Sequence, residues 1–105
     1  MQHLSVVELA RWLASDEPPC VLDVREPWEL AIASMPGSLT IPIGEITRRL
    51  VEIPRDRAVV CLCHHGMRSM QVALFLDHNG YQTVYNVDGG IDAWAREVDP
   101  NCPVY

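Results

Sequence analysis

Apolar residues in this chain fall into two spacings, short unbroken runs and repeats of three to four, and the order of these segments predicts a fold. Ser5-Val6-Val7-Glu8 has the spacing of a capping box, and Leu9, Trp12 and Leu13 follow at helical period, which predicts a helix near 5–15. After the break at Asp16-Glu17-Pro18-Pro19, Cys20-Val21-Leu22-Asp23-Val24 is a short β-branched run of the kind that fills a sheet covered on both faces. Pro27 suits a first helical turn and leads a short helix through Trp28 and Leu30, before Met35-Pro36-Gly37-Ser38 turns the chain. Leu39-Thr40-Ile41 reads as a further strand. Ile43, Ile46, Leu50 and Ile53 predict a third helix, ended by Pro54.

Ala58 to Leu62 is another fully apolar strand, and helical spacing resumes from Ser69 to His78, closed by Asn79-Gly80 as a left-handed cap. Thr83 to Val87 makes one more strand; Gly89-Gly90 then turns into a helix through Ile91, Ala93, Trp94 and Val98, with a proline-bounded tail at 99–103. Strands separated by helices need crossover connections, so the expected class is α/β, with a mainly parallel sheet of about five strands and helices on both faces. The 105 residues suit one domain spanning 1–105. Ligands in such folds sit beyond the carboxyl ends of the strands, and two polar loops leave strands there: Asp23-Val24-Arg25-Glu26 and Cys63-His64-His65-Gly66-Met67-Arg68.

The second loop concentrates the chemistry. An apolar strand stops at a cysteine and a helix starts just after Arg68, so a thiol stands at a helix N-terminus, where unpaired N–H groups and about half a positive charge favour an anion. A thiol so placed is expected to be acidic and nucleophilic. The residues from Cys63 to Arg68 can wrap into a ring of converging N–H groups, with Gly66 permitting a positive φ. A sulfur attached to Cys63 as a persulfide would carry its negative charge to where those donors point.

Charge and composition narrow the partners. The net charge is −6 and the eight Lys and Arg are scattered, so there is no basic stripe for nucleic acid or an anionic membrane. A small anion must therefore be drawn by a local electropositive pocket. No apolar run approaches the roughly 18 residues of a membrane span, the first residues lack the design of a secretory signal, and a cytoplasmic location is the expectation. The four cysteines at 20, 61, 63 and 102 form no disulfide framework, and Cys61 and Cys63 with His64 and His65 are too crowded for tetrahedral zinc, so no metal is expected. Cys20, Cys61 and Cys102 read as core residues, Cys102 being open to oxidation if exposed. Trp12, Trp28 and Trp94 imply no cofactor.

Leu62-Cys63-His64-His65-Gly66-Met67-Arg68-Ser69 resembles the active-site loop of the rhodanese family of sulfurtransferases. Val21 to Glu29 followed by Met35-Pro36-Gly37-Ser38 resembles that family's upstream motif, and Tyr85 to Trp94 its downstream one, so the likeness covers nearly the whole chain. It implies a rhodanese-like three-layer α/β/α fold and a sulfurtransferase in which Cys63 is the catalytic nucleophile. Cys63 would take the outer sulfur of thiosulfate or another sulfane donor, release sulfite, and pass the sulfur to a thiophilic acceptor or acceptor protein. His64, His65, Gly66, Met67, Arg68 and Ser69 would form the substrate and persulfide loop, Asp23 and Arg25 would support it, and no cofactor beyond the covalent persulfide is needed. Many relatives carry Arg-Ser or another pair at the place of His64-His65. Two other readings are a persulfide carrier serving a partner protein and a cysteine-dependent phosphatase or arsenate reductase. The latter generally places five residues between cysteine and arginine, whereas Cys63 and Arg68 enclose four.

Overall fold

The structure, a computed structural model describing residues 1–105, runs β1 (Gln2–Leu4), α1 (Val6–Leu13), β2 (Cys20–Asp23), α2 (Pro27–Ile32), β3 (Leu39–Thr40), β4 (Val59–Leu62), α3 (Met67–His78), β5 (Val84–Val87) and α4 (Gly90–Glu97). The strands form one sheet in the order β1-β5-β4-β2-β3, every pair parallel. No helix is long and apolar enough to cross a membrane.

Alternation along the strands divides the interior into two cores, one on each face of the sheet. Val59, Cys61 and Cys63 join Leu22 and Val84 beneath Val72, Ala73 and Leu76 of α3. Val60 and Leu62 turn the other way, with Val21 and Val87, against Val6 and Leu9 of α1 and Ile91 and Ala95 of α4. Nearly every position of β2 and β4 is thus covered, which is why both segments read as unbroken apolar runs.

Local signals set the helix ends. The Ser5 hydroxyl accepts from the Glu8 N–H at 3.1 Å and the Glu8 carboxylate accepts from the Ser5 N–H at 3.0 Å, a reciprocal cap that starts α1. In α2, Pro27 takes the first turn and Glu29 caps back onto the Glu26 N–H at 3.0 Å.

Two segments depart from the sequence reading. The helix expected from Ile43 to Ile53 is instead a pair of 3₁₀ turns, Ile43–Glu45 and Leu50–Glu52. Ile46 and Ile53 still reach the core, but Gly44 and the β-branched Thr47 and Val51 weaken a continuous helix, and short turns bury the same side chains. β1 was not foreseen. Only its Leu4 is buried, so three residues carry no readable period.

Because β2 leads outward to β3 and β4 leads the opposite way to β5, their carboxyl ends flank the point where the strand order reverses. The two polar loops meet there.

Candidate active site

Cys63 follows the last residue of β4 on the α3 face and is 1% exposed. Two groups give hydrogen bonds to its Sγ: the Gly66 N–H at 3.1 Å and the Ser69 hydroxyl at 3.3 Å. Of the backbone donors expected from the sequence, one N–H bonds the sulfur itself, supplemented by a side chain from the first turn of α3. Gly66 is the N-cap of α3 at φ 107°, a conformation that only glycine adopts without strain, and this bend returns its N–H toward the sulfur.

The start of α4 fixes the loop from the other side. Ile91 N–H donates to the Cys63 carbonyl at 2.9 Å and Asp92 N–H to the His64 carbonyl at 3.0 Å. Gly90 lies so close that any Cβ there would collide with both carbonyl oxygens. The Gly89-Gly90 pair thus serves close approach to the loop as well as the turn.

Arg68 gives its hydrogen bonds to a carboxylate rather than to the sulfur. Its guanidinium grips the Glu29 carboxylate through two bonds, 2.6 and 2.8 Å, and Glu29 is 2% exposed. Chiefly because of those bonds, the Glu29 carboxyl is held down to about 2. The Tyr105 hydroxyl donates to the same carboxylate at 2.8 Å and accepts from Arg25 Nη1 at 2.9 Å. Arg25 is fully buried, and its Nη2 donates both to buried Asp23 at 2.7 Å and to the Ala33 carbonyl at 2.8 Å. Asp23 and Arg25 therefore reach the loop indirectly, through Tyr105, which touches His64, and through Glu29, which holds Arg68.

The Tyr105 ring stacks on His64 at 3.8 Å and 5° between planes, and His64 Nε2 lies 2.7 Å from the Tyr105 backbone oxygen. His65 is exposed, its ring 3.9 Å from that of His64 and its Nδ1 4.0 Å from Asp92. His64, His65 and Asp92 place ligand-type atoms within 4.8 Å of one another, the only grouping able to hold a metal. Two of those residues already have partners, His64 Nε2 at Tyr105 and Asp92 at Arg96, 3.0 Å away. Met67 is exposed beside the loop, in the wall of a hollow of about 230 Å³ that also includes His65, Gly66 and Asn86. A larger hollow, about 620 Å³, lies along Thr47–Arg55 and Tyr81 and contains no thiol or other nucleophile of the loop.

The remaining cysteines are of another kind. Burial pushes the Cys61 thiol up to about 12, and burial likewise raises Cys20 and Cys102. Cys102 is buried against the α1 and α4 core rather than open to oxidants.

Sequence reasoning gave no role to Glu29, Asn86 or Tyr105. The pair Glu26 and Glu29 at capping-box spacing was a usable signal for the first. Asn86 lies in β5 opposite Cys61, on the face that β4 turns toward Cys63, a placement visible only once the two strands are known to be neighbours.

Comparison with known proteins agrees with this geometry. A family model described as rhodanese-like domain matches residues 5–97. A sulfurtransferase of Allochromatium vinosum is 43% identical over 88 residues, covering 84% of this chain and 82% of its own length. The thiosulfate sulfurtransferase GlpE of Pseudoalteromonas translucida is 30% identical over 93 residues, covering 89% of this chain and 88% of that one. The crystal structure of a rhodanese-related protein from Thermoplasma volcanium aligns over 100% of both chains with a TM-score of 0.86 at 32% identity.

Proposed function

The chain belongs to the rhodanese-like family, and from that premise we propose that it is a sulfurtransferase that carries sulfane sulfur as a persulfide on Cys63. The observation behind this reading is the Cys63 sulfur at the end of β4, with an N–H and a hydroxyl directed at it from the helix that follows. Such donors favour negative charge on that sulfur and lower the cost of forming the nucleophile.

With thiosulfate as donor, the Cys63 thiolate attacks the outer sulfur. A new S–S bond forms, the bond to the sulfonate sulfur breaks, and sulfite departs with the electron pair. The negative charge then rests on the outer sulfur of the persulfide. Attack on that sulfur by an acceptor such as cyanide returns the Cys63 thiolate and gives thiocyanate. The thiol itself is the carrier, so the cycle uses no further cofactor.

Arg68 is engaged by Glu29, so we assign it to bracing the loop rather than to gripping the donor. Attraction for the anionic donor then falls to the loop backbone and to His64 and His65. Those imidazoles hold an anion less firmly than a guanidinium does, which leaves room for donors other than thiosulfate.

Intact-protein mass spectrometry after thiosulfate treatment tests the assignment. The wild type should gain one sulfur, roughly 32 Da, and Cys61→Ala should do the same, while Cys63→Ala should gain nothing. A sulfur adduct that persists in Cys63→Ala would remove the basis for the mechanism.

A further inference from the structure

We propose that Asn86 is a positioning residue that makes the Ser69 hydroxyl follow the charge on the Cys63 sulfur, an acceptor toward the neutral thiol and a donor toward the thiolate. The proposal rests on the reading of Cys63 as the reactive thiol.

Ser69 has one hydroxyl proton and two acceptors within reach: Asn86 Oδ1 at 2.6 Å and Cys63 Sγ at 3.3 Å. All three residues are buried, with Ser69 0%, Cys63 1% and Asn86 2% exposed, so no solvent competes for the proton. Between two uncharged acceptors the shorter contact, to a carbonyl oxygen, takes it. The Ser69 lone pairs then face the sulfur, and a neutral Cys63 answers by donating its S–H to them. Once the sulfur ionises, it becomes the stronger, charged acceptor, and rotation about the Cβ–Oγ bond transfers the donation from Asn86 to the thiolate.

The orientation of the Asn86 amide is fixed by its other end. Nδ2 donates to the Gly66 carbonyl at 3.2 Å and faces Asp88 Oδ1 at 3.4 Å, so a flipped amide would bring its oxygen against two oxygens. The Gly66 carbonyl also accepts from the Met70 N–H at 3.2 Å, so it keeps a partner when the Asn86 amide is removed. The influence of Asn86 on the sulfur therefore runs mainly through Ser69.

In the proposed cycle the inner sulfur is charged as nucleophile, neutral in the persulfide, and charged again as leaving group. A hydroxyl that changes role supports the two charged states without opposing the neutral one. The other groups around the sulfur are common to every variant below: Arg68 of α3 held by Glu29, the neutral Cys61 of β4, His64 against Tyr105, and Asp88 beyond Asn86.

The test is a pH titration of the Cys63 thiolate by its ultraviolet absorbance, with Cys63→Ala as the blank. It needs neither a sulfur donor nor an acceptor, so its outcome is separate from that of the persulfide assay. Ser69→Ala should move the midpoint up by about one pH unit, since it removes a donor to the charged form. Asn86→Leu should move it down by roughly half a unit, since it frees the Ser69 proton for the sulfur. The double variant should match Ser69→Ala, because nothing is left for Asn86 to act on. Asn86→Asp covers the case in which the leucine variant does not fold: it holds the hydroxyl proton more strongly, and its midpoint should rise by about one unit or more. An unchanged or raised midpoint in folded Asn86→Leu overturns the proposal, as does an Asn86→Leu shift that persists undiminished without Ser69, or an unchanged or lowered midpoint in Asn86→Asp.

Discussion

The two sides of the Cys63 loop are built from opposite materials. Toward the sulfur stand uncharged groups: the Gly66 N–H, the Ser69 hydroxyl and, behind it, the Asn86 amide. Bonded to one another instead of to the sulfur is a line of charges, Arg68, Glu29, Arg25 and Asp23, with the Tyr105 hydroxyl set between Glu29 and Arg25. The difference teaches where the loop keeps its formal charge. An unpaired guanidinium beside the thiol would raise the attraction for any anion, selectively or not, whereas Arg68 is paired with Glu29 and neutral donors respond to the position of charge within the site. The ionic side is the loop's anchor, and the neutral side its chemistry.

The largest expected effect comes from breaking the anchor. Glu29→Ala leaves Arg68 and the Tyr105 hydroxyl without their carboxylate and the Glu26 N–H without its cap. It should cost about 4 kcal/mol of stability, read by denaturant unfolding. If the variant retains full stability, the anchor is not what holds the loop.

Acid should act on the same carboxylate. With the Glu29 carboxyl near 2 in the folded chain and near 4.5 when unfolded, its contribution is complete above about pH 4.5. That contribution, about 3 kcal/mol, fades as pH falls toward 2. Stability measured across this range should show the loss in the wild type and a smaller one in Glu29→Gln. Equal slopes would mean that other carboxylates dominate.

The smallest effect should come from Tyr105→Phe. It keeps the ring that stacks on His64 and removes only the hydroxyl between Arg25 and Glu29. A loss of about 1–2 kcal/mol in unfolding free energy is expected, with the Cys63 titration midpoint unmoved. A shifted midpoint would show that the two sides of the loop are coupled.

What could be read in advance follows from how local each signal is. β4, Cys63 and α3 form one contiguous stretch in which an apolar run, a cysteine, a glycine and a helical repeat succeed each other, so the strand, the loop and the position of the thiol between them were all legible. Cys61 was legible as core because alternation on a covered strand leaves it no other place. The segment 43–53 was misread because apolar spacing alone does not tell a helix from two 3₁₀ turns that bury the same isoleucines. Asp23, Arg25 and Arg68 were legible as loop residues by resemblance, but the pairing that joins them was not. Glu29 and Arg68 are 39 residues apart, and Arg25 and Tyr105 are 80 apart, so only the order of strands in the sheet brings them together. Asn86 is hidden for the same reason, since its role depends on β5 lying beside β4.

β1, a strand of three residues that the hydrophobic pattern does not mark, has a part larger than its size. It closes one side of β5, pairing Gln2, His3 and Leu4 with Tyr85, Asn86 and Val87. Without it, β5 would become an edge with open N–H and C=O groups, a template on which another chain could add itself as a strand. The same strand carries Asn86, so a chain docked there would press on the sulfur site directly. With β1 in place this edge of the sheet is only three residues long and stands one strand away from Asn86.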